Sequence, residues 1–379
     1  MSEIKTALVL SGGGARAAYQ VGALKAIAEI VGTGVPNPFP IICGTSAGAI
    51  NAAMLATNAD CFERGVNQLE QLWGNLHSSL VHRVGYRELM RSTLALIGSF
   101  FRSGKTRGRP LSLFDNTPLH HLLMENIQFH GLQSLITQGH LHALCITAMG
   151  YGRSQSVNFF QGNNAIADWE RLRRVGIRSE LTHKHLMASS ALPAIFPPVR
   201  IEGEYFGDGA IRQTAPMSAA LHLGAKKLLV IGVSGNRKNR TVPSMGHSVH
   251  PPTLAQILAQ LLNSAFIDSV EEDIDIVQRF NHFIEEVDEE KRDDLGMHTV
   301  DIQVITPSIR FDEVALAHIK DLPHSLRVFL KTIGATKPGG GASLASYLLF
   351  ESGYCRELIK HGYRDCLEQA DTVREFLRS

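Results

Sequence analysis

The chain has few cysteines, no long apolar run and almost no net charge, and each shortage closes a class of function. The five cysteines, Cys43, Cys61, Cys145, Cys355 and Cys366, are odd in number and form no C-x-x-C pair. That argues against a disulfide framework or a thiolate zinc site and fits a reducing compartment. No apolar stretch approaches the ~18–20 residues that span a bilayer. Residues 1–5 carry no apolar leader core and residues 6–10 have only strand length, so no signal peptide is read. A net charge of +1 over 379 residues gives no global pointer to nucleic acid. There is no internal repeat, and no group of residues has metal-ligand spacing, so neither a metal nor an organic cofactor is expected. The expectation is a cytoplasmic protein that at most lies at the inner face of a membrane.

What is present reads as α/β. The chain exceeds the usual single-domain size, so one large domain or a core with an elaboration is expected. Residues 6–10 are a continuous apolar run of buried-strand type. A Ser-Gly-Gly-Gly loop follows, then a helix over about 15–31. Pro36, Pro38 and Pro40 punctuate the return to a second apolar run at 39–43, and an alanine-rich helix covers 47–56. Strand, helix, strand, helix implies a right-handed parallel crossover. Helical patterns fill 59–139, broken by a Gly/Arg-rich stretch at 103–110. Strands are expected at 141–149, 156–161 and 227–233, with a hairpin turn into a strand at 201–206 and a late strand at 300–306. Residues 251–294 read as helical and acidic, and the tail from 311 as helical. Gly339, Gly340 and Gly341 mark a loop, and 236–252 is the expected flexible linker.

Three local patterns carry chemistry. Gly44-Thr45-Ser46-Ala47-Gly48 stands between an apolar run and a helical run, the setting of a nucleophile elbow. Such a turn lifts the serine hydroxyl clear, Gly44 and Gly48 let strand and helix pass, and the helix start favours a developing oxyanion. Ser11-Gly12-Gly13-Gly14-Ala15-Arg16-Ala17 follows a strand and opens a helix, so its backbone N–H groups can face an anion. Gly12, Gly14 and Ala17 fit a dinucleotide fingerprint, but the acidic residue that motif needs about 20 positions on is missing. An oxyanion hole built from Gly12, Gly13 and Gly14 is the better reading. Arg16 is expected either to pair with a lipid phosphate or to hold the loop. Phe206-Gly207-Asp208-Gly209-Ala210 can present a carboxylate at a strand end; taken alone, Asp208-Gly209 reads more readily as a type I′ turn.

Together these patterns change that weighting. Gly12-Gly13-Gly14-Ala15-Arg16, the Gly44 to Gly48 elbow and Asp208-Gly209-Ala210, in this order, resemble the patatin-like phospholipases. Ala188-Ser189-Ser190-Ala191-Leu192-Pro193-Ala194-Ile195-Phe196-Pro197-Pro198 is similar to that family's segment upstream of its catalytic aspartate. The motifs span about 6–233. Ala17 departs from the pattern, since many members carry glycine there. The resemblance implies a three-layer α/β/α fold around a mostly parallel sheet, with a catalytic domain over 1–235 and a mainly helical extension over 236–379. It also implies a dyad of Ser46 and Asp208 instead of a triad. Ser46 would attack an ester carbonyl, and Asp208 would move the protons. His183, His185 and His222 flank the Asp208 region and keep a triad open.

The implied substrate is a phospholipid or other acyl ester. Tyr86, Leu89, Met90, Thr93, Leu94, Ile97 and Phe101 fall on one face of a helix. The surrounding segment 82–110 holds seven Lys/Arg and one acid, while 268–294 holds twelve acids and three bases. Contact between that basic segment and an anionic membrane is therefore expected, as is a packed lid in the same place. Two other readings stand beside hydrolysis: a lipid-binding or regulatory protein without turnover, and a nucleotide-binding oxidoreductase.

Overall fold

In the computed structural model, residues 5–83, 85, 112–233, 251–295, 297–336 and 341–378 are described. The apolar-faced segment 86–101, the whole of the basic stretch 102–110 and most of the 236–252 linker lie outside the described residues. One sheet holds ten strands: β1 (Lys5–Leu10), β2 (Ile41–Thr45), β3 (Ala143–Gly150), β4 (Gln155–Gly162), β5 (Trp169–Arg171), β6 (Arg174–Arg178), β7 (Val199–Ile201), β8 (Glu204–Asp208), β9 (Ala225–Ile231) and β10 (Asp301–Ile305). Their order is β10-β9-β1-β2-β3-β4-β6-β5, with β8 also on β3 and β7 on β8. The centre, from β10 to β3, is parallel throughout. Antiparallel pairs stand at its margin.

The apolar run of β1 explains the layering. Its successive side chains point to opposite faces, and both faces are covered. Leu8 and Leu10 enter one core with the helices α1 (Ala18–Val31), α2 (Ala47–Ala56) and α3 (Phe62–Gly74). Ala7 and Val9 enter the other. The fold is therefore three-layered, α/β/α. The short helix α4 (His183–Ser189) sits beside β3. Further along, α5 (Leu254–Asn263) and α6 (Ser269–Glu285) are joined by one turn of π-helix, Ser264–Asp268. Val270 of α6 reaches the second core, while α7 (Gly341–Leu348) and α8 (Ser352–Leu367) close the first. β10 adds a parallel strand to β9 at the sheet edge.

One alternative reading is set aside and one local expectation is corrected. The type I′ turn is not at Asp208-Gly209. Asp208 has φ −54°, and a short 3₁₀ turn follows it. The left-handed pair is Glu202 (φ 48°) and Gly203 (φ 91°), which joins β7 to β8 as a two-residue hairpin loop. Gly341 opens α7 instead of lying in a loop. The strands β5 and β6 form a hairpin at the margin, where a sequence rich in arginine gives no apolar alternation to read.

Candidate active site

The geometry follows from strand register. β1 and β2 are parallel, with Leu10 opposite Gly44, so the glycine loop after β1 and Ser46 after β2 emerge side by side. β3 continues the parallel set with Thr147 opposite Thr45. β8 runs antiparallel to β3 and sets Asp208 opposite Ala148. Three strand ends thus meet at one place, although 162 residues separate Ser46 from Asp208.

Ser46 has φ 54° and ψ −128°, a left-handed backbone that side chains rarely adopt. Gly48 makes the turn possible: a Cβ there would lie 2.4 Å from the Leu10 carbonyl oxygen. Gly44 faces Gly48 across the turn. The Ser46 hydroxyl donates to Asp208 Oδ2 at 2.6 Å, and the Ala210 N–H donates to Asp208 Oδ1 at 3.0 Å. Gly209 fits beneath the Thr147 carbonyl. Ser46 is 3% exposed and Asp208 is fully buried. Burial therefore pushes the Asp208 carboxyl up to about 7, against the opposing pull of the Ser46 hydroxyl and the Ala210 N–H. No cation is paired with Asp208 among the described residues.

The segment 188–198 supports both residues. Ser189 Oγ accepts from the Ser46 N–H at 2.8 Å and donates to the Thr147 carbonyl at 2.6 Å. The Ala191 carbonyl accepts from the Asp208 N–H at 2.9 Å. Ser189 was not singled out from the sequence. Its only signal was its place in a recognisable motif, since its role depends on where β3 runs. Gln213 was also missed. It accepts from Thr45 Oγ1 at 2.8 Å and donates to Thr147 Oγ1 at 3.2 Å, tying the turn after Asp208 to β2 and β3.

The glycine loop lies against this centre. A Cβ on Gly12 would stand 3.1 Å from Ser46 Cβ and 2.5 Å from the Phe266 ring. The π-turn thus lays Phe266 over Gly12, on the ground a dinucleotide phosphate would need. The Gly13 carbonyl accepts from the Arg16 N–H at 3.1 Å, and Gly14 lines the cavity at Ser46. Arg16 resolves its two expected roles. It is buried, and its guanidinium donates to Ser346 Oγ (2.8 Å), Tyr347 Oη (2.9 Å), Ser343 Oγ (2.9 Å) and the Ser343 carbonyl (3.3 Å). Its carbon also lies 3.8 Å from the centre of the Tyr347 ring. Every nitrogen is committed to α7, so Arg16 holds the loop and is not free for a lipid phosphate.

The three candidate histidines are occupied elsewhere. His183 Nε2 donates to the Ile127 carbonyl, the Thr182 N–H donates to His185 Nδ1, and His222 bonds to the Ser218 carbonyl and stacks on Trp169. Beside Ser46 opens an apolar cavity of about 600 Å³, counting its space open to solvent, lined by Ile50, Trp73, Leu76, Leu123, Phe196 and Phe350 among others. Such a wall suits an aliphatic chain. Among the described residues, no group of three or more His, Cys, Asp or Glu could hold a metal ion, and no helix is long and apolar enough to cross a membrane.

A family model described as patatin-like phospholipase matches residues 8–221. A cGAMP-activated phospholipase of Pseudomonas aeruginosa (strain BWHPSA011 / Pa011) is 26% identical over 216 residues. That match covers 57% of this chain and 55% of the relative, so the chain spans just over half the length of the curated relative it matches. The crystal structure of VipD from Legionella pneumophila aligns with a TM-score of 0.43 at 14% identity, covering 98% of this chain and 67% of that one.

Proposed function

The chain belongs to the patatin-like phospholipase family, and from that premise we propose that it is a lipid acyl hydrolase cleaving carboxylic esters of phospholipids or related lipids. The observation that carries the reading is the 2.6 Å bond between a buried serine hydroxyl and a buried carboxylate beside an apolar cavity. Ser46 Oγ attacks the ester carbonyl as Asp208 Oδ2 takes its proton. The tetrahedral oxyanion forms against the glycine loop and the positive end of α2. As it collapses, the C–O bond to the alcohol breaks, and the alcohol leaves with the proton from Asp208. Water then attacks the acyl-serine, Asp208 takes the proton of that water, and the fatty acid departs as Ser46 Oγ is reprotonated. A carboxyl held near 7 can accept and return a proton at neutral pH.

Ser46→Ala tests this directly. Hydrolysis of a soluble ester should fall by ~10⁴–10⁶ while the protein stays folded, and a fluorophosphonate should label the parent on Ser46 but not the variant. Activity within about tenfold of the parent would sink the mechanism. Absence of both turnover and labelling in the parent would favour a lipid-binding protein without turnover.

Membrane contact is proposed from the sequence. Of the bases in 82–110, Arg83 is described, and it lies 3.7 Å from the Asp115 carboxylate. Changing Arg102, Lys105, Arg107 and Arg109 to glutamine should weaken binding to anionic vesicles, more at low salt than at physiological ionic strength, where the Debye length is ~8 Å. Soluble-ester hydrolysis should persist. Unchanged vesicle binding would place membrane contact elsewhere.

A further inference from the structure

A second, larger cavity shares part of its wall with the Ser46 pocket. It measures about 1660 Å³, counting its space open to solvent. Its walls come from segments distant in sequence: Leu258 and Leu262 of α5, Ala265 of the π-turn, Phe329 and Ile333, and the turn 210–214 that follows Asp208. Leu192 and Leu348 line both cavities. The two spaces thus share these two leucines as wall, and Ala210, whose N–H holds Asp208, forms part of the second wall. Arg212, Asp268 and Glu272 also line it, in a wall that is otherwise mostly apolar, and apolar side chains continue along α5. Leu254, Ile257 and Leu261 recur at helical spacing on α5 and are 56%, 47% and 63% exposed, and Leu261 lines the cavity. Exposed leucines around an apolar opening are unfavourable in water unless something apolar enters or covers them.

We infer that this second cavity is the subsite for the uncleaved acyl chain of a two-chain lipid whose scissile chain lies in the Ser46 pocket. The inference rests on the lipid acyl hydrolase reading. The shared wall decides the occupant: a chain entering here lies against the same leucines that line the Ser46 pocket, where the second chain of a diacyl lipid can run. The apolar part of its wall offers a chain up to about a fourfold binding gain per buried methylene. A lipid with one chain gains nothing from this space. The subsite therefore selects two-chain lipids over single-chain ones.

Two variants test it in the full chain, with a thermal melt as the fold check. Leu258→Trp fills the cavity, and Leu261→Glu puts a charge on its lip at an exposed position. For both, kcat/KM on a diacyl phospholipid should fall by about tenfold or more, while a single-chain lysophospholipid and a soluble butyrate ester stay within about twofold. Diacyl turnover within about twofold of the parent in both folded variants overturns the subsite, as does an equal fall on all three substrates. A second readout needs no turnover. A fluorescent two-chain ether lipid in neutral micelles, having no ester to cleave, should bind the parent about tenfold more tightly than Leu258→Trp. If the parent hydrolyses nothing but this difference holds, the hydrolase reading fails and with it the assignment of cleaved and uncleaved chains, while the cavity stands as a binding site for a two-chain lipid. If binding is equal, the subsite fails whatever the turnover.

Discussion

The glycine loop 12–14 is gripped from two sides that differ in kind. On one side, the elbow and α2 reach it from the neighbouring strand, within about 35 residues, by close backbone passage: Gly48 against the Leu10 carbonyl, Gly12 against Ser46. On the other, Phe266 lies on Gly12 and α7 holds Arg16 across 330 residues of sequence. The first contact is set by backbone shape and survives only with particular residues at particular positions. The second is set by side-chain burial and hydrogen bonding, which many sequences can supply. The proposed chemistry therefore concentrates on the elbow side. Loop support and the wall of the second cavity concentrate on the side of α5 and α7. Replacing Ser46 or Asp208 should remove turnover without unfolding the chain, and changes on the second side should alter stability or selectivity first.

The sharpest test of that division is Asp208→Asn. It keeps the shape of the side chain but cannot take the Ser46 proton, so kcat should fall by about 10⁴ or more. Measured beside Ser46→Ala, the double variant should be little worse than either single one, because the two groups act as a unit. A variant retaining a tenth of the parent activity would move the base elsewhere.

The same substitution has an opposite effect on stability. The folded Asp208 carboxyl is held near 7, against an unfolded value near 3.8. Its contribution to stability is fully present below the unfolded value and is lost as pH rises through about 7. Asparagine has no such proton to lose. Above pH 7, Asp208→Asn should therefore be more stable than the parent, by of the order of 4 kcal/mol, and the two should converge towards pH 4. Chemical denaturation at pH 4 and pH 8 measures this. The parent's kcat/KM on a soluble ester should fall about tenfold per unit below pH 7, where the base becomes protonated. An inflection near 4 would show a solvated carboxylate.

On the α7 side, the expected loss is one of support. Arg16→Ala removes a buried side chain that makes four hydrogen bonds and lies against Tyr347, and should destabilise the fold by about 3 kcal/mol. Arg16→Lys should recover less than half of that, since a single ammonium cannot serve the same fork of acceptors. A melt unchanged in both variants would mean that α7 does not hold the loop.

The same division explains what could be read from the sequence. β1 was legible because a strand buried on both faces is apolar throughout, and the elbow because strain at Ser46 demands its flanking glycines. Asp208 alone read as a hairpin turn, since Asp-Gly fits both settings; only its order after the other motifs separated them. Ser189 and Gln213 were not legible, because each acts through the register of β3 with β2. Phe266, Tyr347 and the second cavity carry no local pattern at all. Their positions follow from packing between segments that the sequence keeps far apart. Arg16 was legible as a residue of consequence, but the choice between anion contact and loop support depended on α7.

The smallest expected effect bears on the rival to the dyad. His183, His185 and His222 lie near Asp208 in sequence, and a triad would need one of them at Ser46. Each instead has local work. His222 stacks on Trp169 with ring centres 5.1 Å apart, and removing it should destabilise the fold by about 1 kcal/mol. His185 closes the capping box of α4 with Thr182, and burial holds its ring down at about 4, so it is neutral at pH 7. His185→Ala should destabilise by about 1–2 kcal/mol through the lost cap. His183 bonds to the Ile127 carbonyl at 2.9 Å and should matter least. In every case soluble-ester kcat should stay within about threefold of the parent, because in the proposed dyad neither proton transfer passes through an imidazole. The measurement is a steady-state assay on the three single variants below their melting temperatures. One folded variant with turnover reduced to the level of Ser46→Ala would replace the dyad with a triad, and would mean that the histidine swings to Ser46 only once substrate is bound.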